Sequence, residues 1–307
     1  MNEVPMNENN VPVPINISWH LWPDCNFSCD YCYATFRDIP STLTEEDCLK
    51  VLKIMAESGT QKVTFVGGEP TLCPFLGSLI KRAKQLGMVT MLVTNGTRLR
   101  NPSVRKMVPY LDWISISIDS SDPEINAKLG RGSPLYHEYC LDVFEELSKI
   151  RHLRLKVNTV VTQLNKDDDM RGLIRKLNPE RWKVFQVLPI GGQNDGKVER
   201  LLITADEFSE YVERHQELHD EGLGPIHEDN KAMTGTYLMM DALGRFFSNK
   251  TGSHTYTDSI LDVGMDAALV QLGWDIEGFI ARQGIYEWRH SDVQSIVSDP
   301  VDVSNET

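Results

Sequence analysis

The segment Cys25-Asn-Phe-Ser-Cys29-Asp-Tyr-Cys32 gathers three of the chain's six cysteines into one short stretch. Thiolates spaced in this way can each take one iron of a cubane iron–sulfur cluster, leaving the fourth iron open to another ligand. Structural zinc is the alternative. It closes with four protein ligands, however, and the nearest other donor, His20, lies on a segment that reads as strand. Cys48, Cys73 and Cys140 are scattered through helical or loop patterns and read as ordinary buried thiols. Few cysteines, half of them clustered, fit metal ligation in a reducing compartment better than a disulfide framework, which points to the cytoplasm.

A second set of residues is cationic. Lys156 and Asn158 stand two apart, as do Arg181 and Lys183, so each pair shares one face of a strand. Arg131 sits between Gly130 and Gly132. If those faces point into one interior, Arg131, Lys156, Arg181 and Lys183 converge, and burying them without anions would be prohibitive. A triphosphate meets that need, because Arg and Lys are its usual ligands. The plainer reading has each of them snorkelling at a strand end or paired with one of the chain's many carboxylates. The formal net charge of −13 argues against non-specific binding to nucleic acid or anionic membrane, and makes a local cationic cluster more telling.

These residues must be held by something. The composition, 41% hydrophobic and 24% charged over 307 residues, is that of a globular chain with a full core. No apolar run approaches the roughly 20 residues needed to span a bilayer. Strands are predicted at Ile15–His20, Lys62–Val66, Val89–Thr94, Trp113–Ile118, Arg154–Val161 and Trp182–Val187, each short and rich in β-branched or aromatic residues. Amphipathic helices are predicted between them, at Thr44–Ser58, Pro74–Leu86, Pro102–Tyr110, Tyr136–Lys149 and Asp167–Leu177. Six βα units imply a parallel sheet with right-handed crossovers, and six are too few to close a barrel of eight. The expected fold is therefore α/β, a partial (βα)6 barrel over residues 15–200.

A C-terminal, mainly helical extension over 201–290 is expected to cover the open end. Its predicted helices are Ala205–Asp220, Asn230–Met240, Asp266–Leu272 and Asp275–Arg282, with weak strand signals at Gly244–Ser248 and Tyr286–Trp288. Residues 1–14 read as a disordered lead with neither signal-peptide nor amphipathic-anchor character, and 291–307 as a polar tail.

The cysteine pattern, with aromatic Tyr31 before the last cysteine, resembles the signature of the radical S-adenosylmethionine (SAM) superfamily. Gly67-Gly68-Glu69-Pro70 after the second strand resembles that family's GGEP motif, which binds the SAM amino group. Asn95 after strand three, and Ser117 and Asp119 after strand four, resemble its ribose or carboxylate contacts. Taken singly, these are turn or capping residues as readily. The resemblance implies a 4Fe–4S cluster on Cys25, Cys29 and Cys32, with SAM on the open iron and Tyr31 near the adenine. Its cleavage after one-electron reduction, by a flavodoxin- or ferredoxin-type donor, would yield a 5′-deoxyadenosyl radical.

Gly130-Arg131-Gly132, Leu155-Lys-Val-Asn158 and above all Asn178-Pro-Glu-Arg-Trp-Lys-Val-Phe-Gln186 narrow the resemblance to the viperin family, as do Ser259–Gly264 and Tyr286-Glu-Trp288. It runs from about Ile15 to Trp288. It implies dehydration of a ribonucleoside triphosphate to the 3′-deoxy-3′,4′-didehydro form, an antiviral chain terminator. By the same resemblance Arg131, Lys156, Arg181 and Lys183 hold the triphosphate, Ser18, His20 and Asn158 lie beside it, and Tyr286 is the acid near the ribose. The chain departs from the animal members in having no N-terminal amphipathic helix, in continuing past a terminal tryptophan, and in carrying Ser18 where they have asparagine. Nucleotide cyclases and peptide maturases of the superfamily are the nearest rivals, but many of them hold further clusters on C-terminal cysteines, and the last cysteine here is Cys140. A cluster-binding redox sensor or scaffold is a reading from another class, and would need neither the GGEP segment nor a cationic pocket.

Overall fold

Every one of the six short apolar segments predicted between Ile15 and Val187 forms a strand in the computed structural model, which describes residues 3–289. They are β1 (Asn16–Trp22), β2 (Lys62–Gly67), β3 (Val89–Thr94), β4 (Trp113–Ser117), β5 (Arg154–Val161) and β6 (Arg181–Gln186). Each pairs in parallel with the next. The crossovers carry α1 (Glu45–Glu57), α2 (Leu76–Gln85), α3 (Pro102–Arg105), α4 (Pro123–Lys128), α5 (Pro134–Ser148) and α6 (Arg171–Leu177). Helix α1 shows the local logic. The Thr44 side chain accepts the Asp47 N–H at its start, and Cys48, Val51, Leu52 and Met55 form the buried stripe.

The region after residue 201 is less helical than expected. It adds β7 (Pro225–Glu228) beside β6, and β8 (Met239–Met240), β9 (Arg245–Ser248) and β10 (Thr255–Ser259) beyond β1. The result is one open sheet of ten strands, in the order β10-β9-β8-β1-β2-β3-β4-β5-β6-β7. The helix expected over Asn230–Met240 stops at Met233, because Gly235 turns the chain at φ +74° into β8. The helix expected over Ala205–Asp220 ends at Arg214 and continues as a 3-10 turn. Tyr286–Trp288, expected as a strand, is irregular chain.

The opening segment is not a loose lead. Met6 bridges Pro12, Val11 is buried, and Asn7 and Asn9 donate to Asp266 at 2.9 and 2.8 Å. The tail 291–307 lies outside the described residues. Among the described residues no helix is long and apolar enough to cross a membrane.

Strand alternation decides what the interior offers. Asn16, Ser18 and His20 of β1, Lys62 and Thr64 of β2, Lys156 and Asn158 of β5, and Arg181 and Lys183 of β6 all face one cavity of about 570 Å³. Lys156 is level with Arg181, and Asn158 with Lys183.

Candidate active site

The cysteine loop follows the C-terminal end of β1 and is seated on bare backbone. A Cβ on Gly67 would lie 2.2 Å from the Trp22 carbonyl oxygen, and one on Gly68 2.3 Å from that of Pro23. The close approach lets Gly68 N–H donate to Trp22 O at 2.7 Å and Glu69 N–H to Asp24 O at 2.8 Å. Gly130 presses on the other side, where a Cβ would meet Ser28 O at 2.6 Å. The glycines are therefore required by contact rather than by turn propensity alone.

Glu69 and Pro70 do not reach the cavity. The Glu69 side chain is fully buried, and its carboxylate accepts from Thr71 N–H, Thr71 Oγ1, Thr94 Oγ1 and Asn95 N–H. Both oxygens are spent pinning β3 to the GGEP segment, so direct contact between this carboxylate and SAM is not what the geometry offers. Pro70 is buried at the start of a 3-10 turn. Asn95 does line the cavity, with Nδ2 on Asn26 Oδ1 at 2.8 Å and 3.9 Å from Cys25 Sγ.

Cys25 is exposed, while Cys29 and Cys32 are half-buried, and all three are free thiols lining the cavity. Burial pushes the Cys32 thiol up to about 12 and raises those of Cys25 and Cys29. Thiolates here need a compensating positive centre. Among the described residues no three His, Cys, Asp or Glu side chains converge as a single metal ion requires. Three thiols around an open space, one accepting the Phe27 N–H at 3.4 Å, suit a multi-iron cluster that takes one thiolate per iron.

Asp119 and Arg131 turn out to belong to each other. Asp119 is fully buried, accepts Arg131 Nε at 2.6 Å and Val160 N–H at 2.9 Å, and takes the Tyr31 hydroxyl as well. Its carboxylate is thereby consumed, so the expected ribose contact is corrected to a buried anchor. Arg131 lies 5.5 Å from the Tyr31 ring and pairs with Asp119, with Cys29 close by. It lines the cavity on the cofactor side, not among the other cations, so the expected convergence of four divides. Ser117 lines the cavity directly.

At the other end stands a cationic floor. Burial, then Lys183, Lys62 and Arg181, hold the Lys156 ammonium well below its usual range. Lys183 pairs with Glu228, donates to the Tyr237 hydroxyl at 3.0 Å and is lowered by burial to about 7. Arg282 reaches Glu228 at 3.4 Å. Arg181 Nε and Nη2 and Asn158 Oδ1 have no hydrogen-bond partner among the described residues. Of Lys62, Lys156, Arg181, Lys183 and Arg282, only Lys183 and Arg282 pair with a carboxylate among the described residues, both with Glu228, and the deficit of negative charge is what an anion would fill.

Lys62, Glu228, Tyr237 and Arg282 were not foreseen. A lysine heading a buried strand, level with Asn16, was a readable signal for Lys62. Tyr237 and Arg282 fell within predicted helices, Asn230–Met240 and Asp275–Arg282, and Glu228 in no predicted element, so none stood out as a floor residue.

Tyr286 lines the cavity at its floor, at the end opposite the cysteine loop. Lys62 donates to its hydroxyl at 2.5 Å, Arg181 stacks 4.0 Å from its ring, and Trp113 meets it edge-on. Lys62, Trp113 and Arg181 are the first residues of their strands, so the segment around Tyr286 crosses the N-terminal end of the sheet. Trp113 Nε1 donates to Trp288 O at 3.0 Å and Arg154 Nη1 to Glu287 O at 2.8 Å, which fastens it there. His20 sits in an aromatic box of Tyr33, Phe36 and Phe247, and burial lowers it to about 3, so it is neutral. It lines the wall with Ser18 and brings no charge to an anion.

A cluster seat at the C-terminal end of a parallel sheet, above a deep cavity, defines a class, and the comparisons agree. The Radical SAM superfamily model matches residues 19–177, and the chain belongs to that superfamily. Streptococcus suis SuiB bound to S-adenosylmethionine shares the fold at a TM-score of 0.62 and 16% identity, over 77% of this chain and 60% of that one. An S-adenosylmethionine-dependent nucleotide dehydratase of Flammeovirga pacifica is 43% identical over 298 residues, covering 94% of this chain and 100% of that one. The S-adenosylmethionine-dependent nucleotide dehydratase RSAD2 of Oncorhynchus mykiss is 35% identical, over 92% of this chain and 82% of its own. Within the superfamily the chain is therefore a member of the viperin-type family of S-adenosylmethionine-dependent nucleotide dehydratases.

Proposed function

We propose that the chain dehydrates a ribonucleoside triphosphate to its 3′-deoxy-3′,4′-didehydro analogue, with a flavodoxin- or ferredoxin-type protein as electron donor. The observation that carries the triphosphate is the floor, where five cations meet one carboxylate among the described residues. A cluster on Cys25, Cys29 and Cys32, with SAM on its open iron, supplies a 5′-deoxyadenosyl radical able to take the ribose 4′ hydrogen. Arg131, Asn95 and Ser117 stand where they would orient SAM, while Tyr31, Gly67 and Gly68 shape its seat. Lys62, Lys156, Arg181, Lys183 and Arg282 hold the phosphates, and Ser18, His20 and Asn158 line the space between the two ends.

The 3′-hydroxyl leaves as water only if it receives a proton, and a further electron from the donor protein then completes the 3′,4′ double bond. The geometry favours Tyr237 over Tyr286 for that task. Burial and Glu228 keep the Tyr237 phenol protonated, and the Lys183 ammonium donates to the same oxygen and can restore a proton it gives up. Tyr286 is instead held by Lys62, Arg181 and Trp113, the first residues of their strands, deeper below the cysteine loop than Lys183 and its partner Tyr237. The test is to incubate the reconstituted enzyme with SAM, a reductant and each of the four ribonucleoside triphosphates, and to read products by mass. Loss of one water from a triphosphate, stoichiometric with 5′-deoxyadenosine, is expected. SAM cleavage that leaves all four triphosphates unchanged overturns the reading.

A further inference from the structure

Resting on that reading, we infer that Tyr33 is the face on which the substrate's nucleobase stacks. A triphosphate anchored at the floor, with its ribose turned to the cysteine loop, must lay its base against the wall between them. Tyr33 follows Cys32 directly and lines the cavity.

Among the described residues' exposed large hydrophobics Tyr33 is the single aromatic, 37% exposed. An aromatic left bare inside a cavity is a surface waiting for a partner of its own kind. Its ring is not loose. His20 meets it edge-on at 6.2 Å and 81°, and is itself braced edge-on by Phe36 at 5.1 Å and Phe247 at 5.3 Å. Those two rings belong to a small separate core with Ala34, Ile39 and Met239. Since the His20 imidazole is neutral, nothing charged stands behind the Tyr33 ring to repel a heterocycle. A platform held this way is pre-organised, and base–aromatic stacking tolerates any base.

The test compares Tyr33→Phe with Tyr33→Leu in the cluster-reconstituted enzyme with SAM bound. Calorimetry gives the affinity for a ribonucleoside triphosphate and for inorganic tripolyphosphate, and iron content with the visible spectrum checks the cluster. Stacking by one aromatic predicts that the Leu variant loses about five- to a hundredfold in nucleotide affinity. The Phe variant should stay within about twofold of the wild type, and tripolyphosphate should bind all three proteins alike. Nucleotide affinity unchanged in the Leu variant overturns the assignment, as does an equal loss for nucleotide and tripolyphosphate. A wild-type protein that binds neither ligand overturns instead the triphosphate reading on which the assignment rests.

Discussion

The two ends of the cavity carry charge in opposite ways. At the cysteine loop Arg131 pairs with Asp119, Asp30 with Lys197 and Arg200, and Glu69 takes four donors. At the floor, among the described residues, Lys183 and Arg282 pair with Glu228, and Lys62, Lys156 and Arg181 pair with no carboxylate. The first arrangement is complete as protein and requires only that three thiols remain open. The second is complete only with an anion. A site for a resident cofactor can be assembled once and kept, whereas a site that must take and release a polyanion holds its charges in suspense, at a cost in stability.

The sharpest break in this comparison comes at the cofactor end. Cys29→Ala should abolish cluster assembly and SAM cleavage, read by iron content and by 5′-deoxyadenosine formation. Cys140→Ser, at a buried thiol that does not line the cavity, should leave both in place. Full SAM cleavage in the Cys29 variant would remove the cluster assignment.

The two phenols come next. Tyr237→Phe should lower product formation by about 10²–10⁴-fold, the usual contribution of a positioned acid, with 5′-deoxyadenosine still released. Tyr286→Phe keeps the ring against Trp113 and Arg181 and should cost less than about tenfold. A reversal of that order would return the proton donor to Tyr286.

Lys156→Ala should weaken nucleotide binding by about ten- to a hundredfold, since each charge-assisted contact is worth about 1.5–3 kcal/mol. Arg131→Ala should instead disturb SAM binding, with tripolyphosphate affinity kept within about twofold. Equal losses of tripolyphosphate affinity in the two variants would show that the four cations converge after all.

The smallest effect is on pH. In the free protein Lys183 gives up its proton as pH rises through about 7, since burial lowers it. A bound triphosphate favours the ammonium and lifts that value, so the complex holds more protons than the free protein above pH 7. Affinity should therefore fall as pH rises from 7 to 9, and binding at pH 8 should take up protons, measured by calorimetry in two buffers of different ionisation heat. Proton release, or affinity flat across that range, would mean the floor is not charged by its ligand.

Strand alternation accounts for most of what was readable in advance. Lys156 with Asn158, and Arg181 with Lys183, were placed on shared faces by their spacing alone, and the sheet turns both pairs into the cavity. The cysteine spacing and the glycines of GGEP announced the cluster seat, since nothing larger than glycine fits where backbone meets backbone.

What spacing does not encode is a partner distant in the chain. Asp119 looked like a ligand contact from its resemblance to a ribose or carboxylate contact, and Arg131 from its charge and its place between two glycines. Only the folded structure shows them spending their charge on each other. Glu228, Tyr237 and Arg282 enter the floor from the last third of the chain, where helical periodicity near Tyr237 and Arg282 gave no sign that these residues meet a carboxylate brought in from β7. The amino-acid order by itself therefore determined which side chains share a face, because that depends on local geometry. Which of those side chains remain free for a ligand was decided by tertiary contacts, because a buried charge is satisfied by whatever the fold brings within a few ångströms of it.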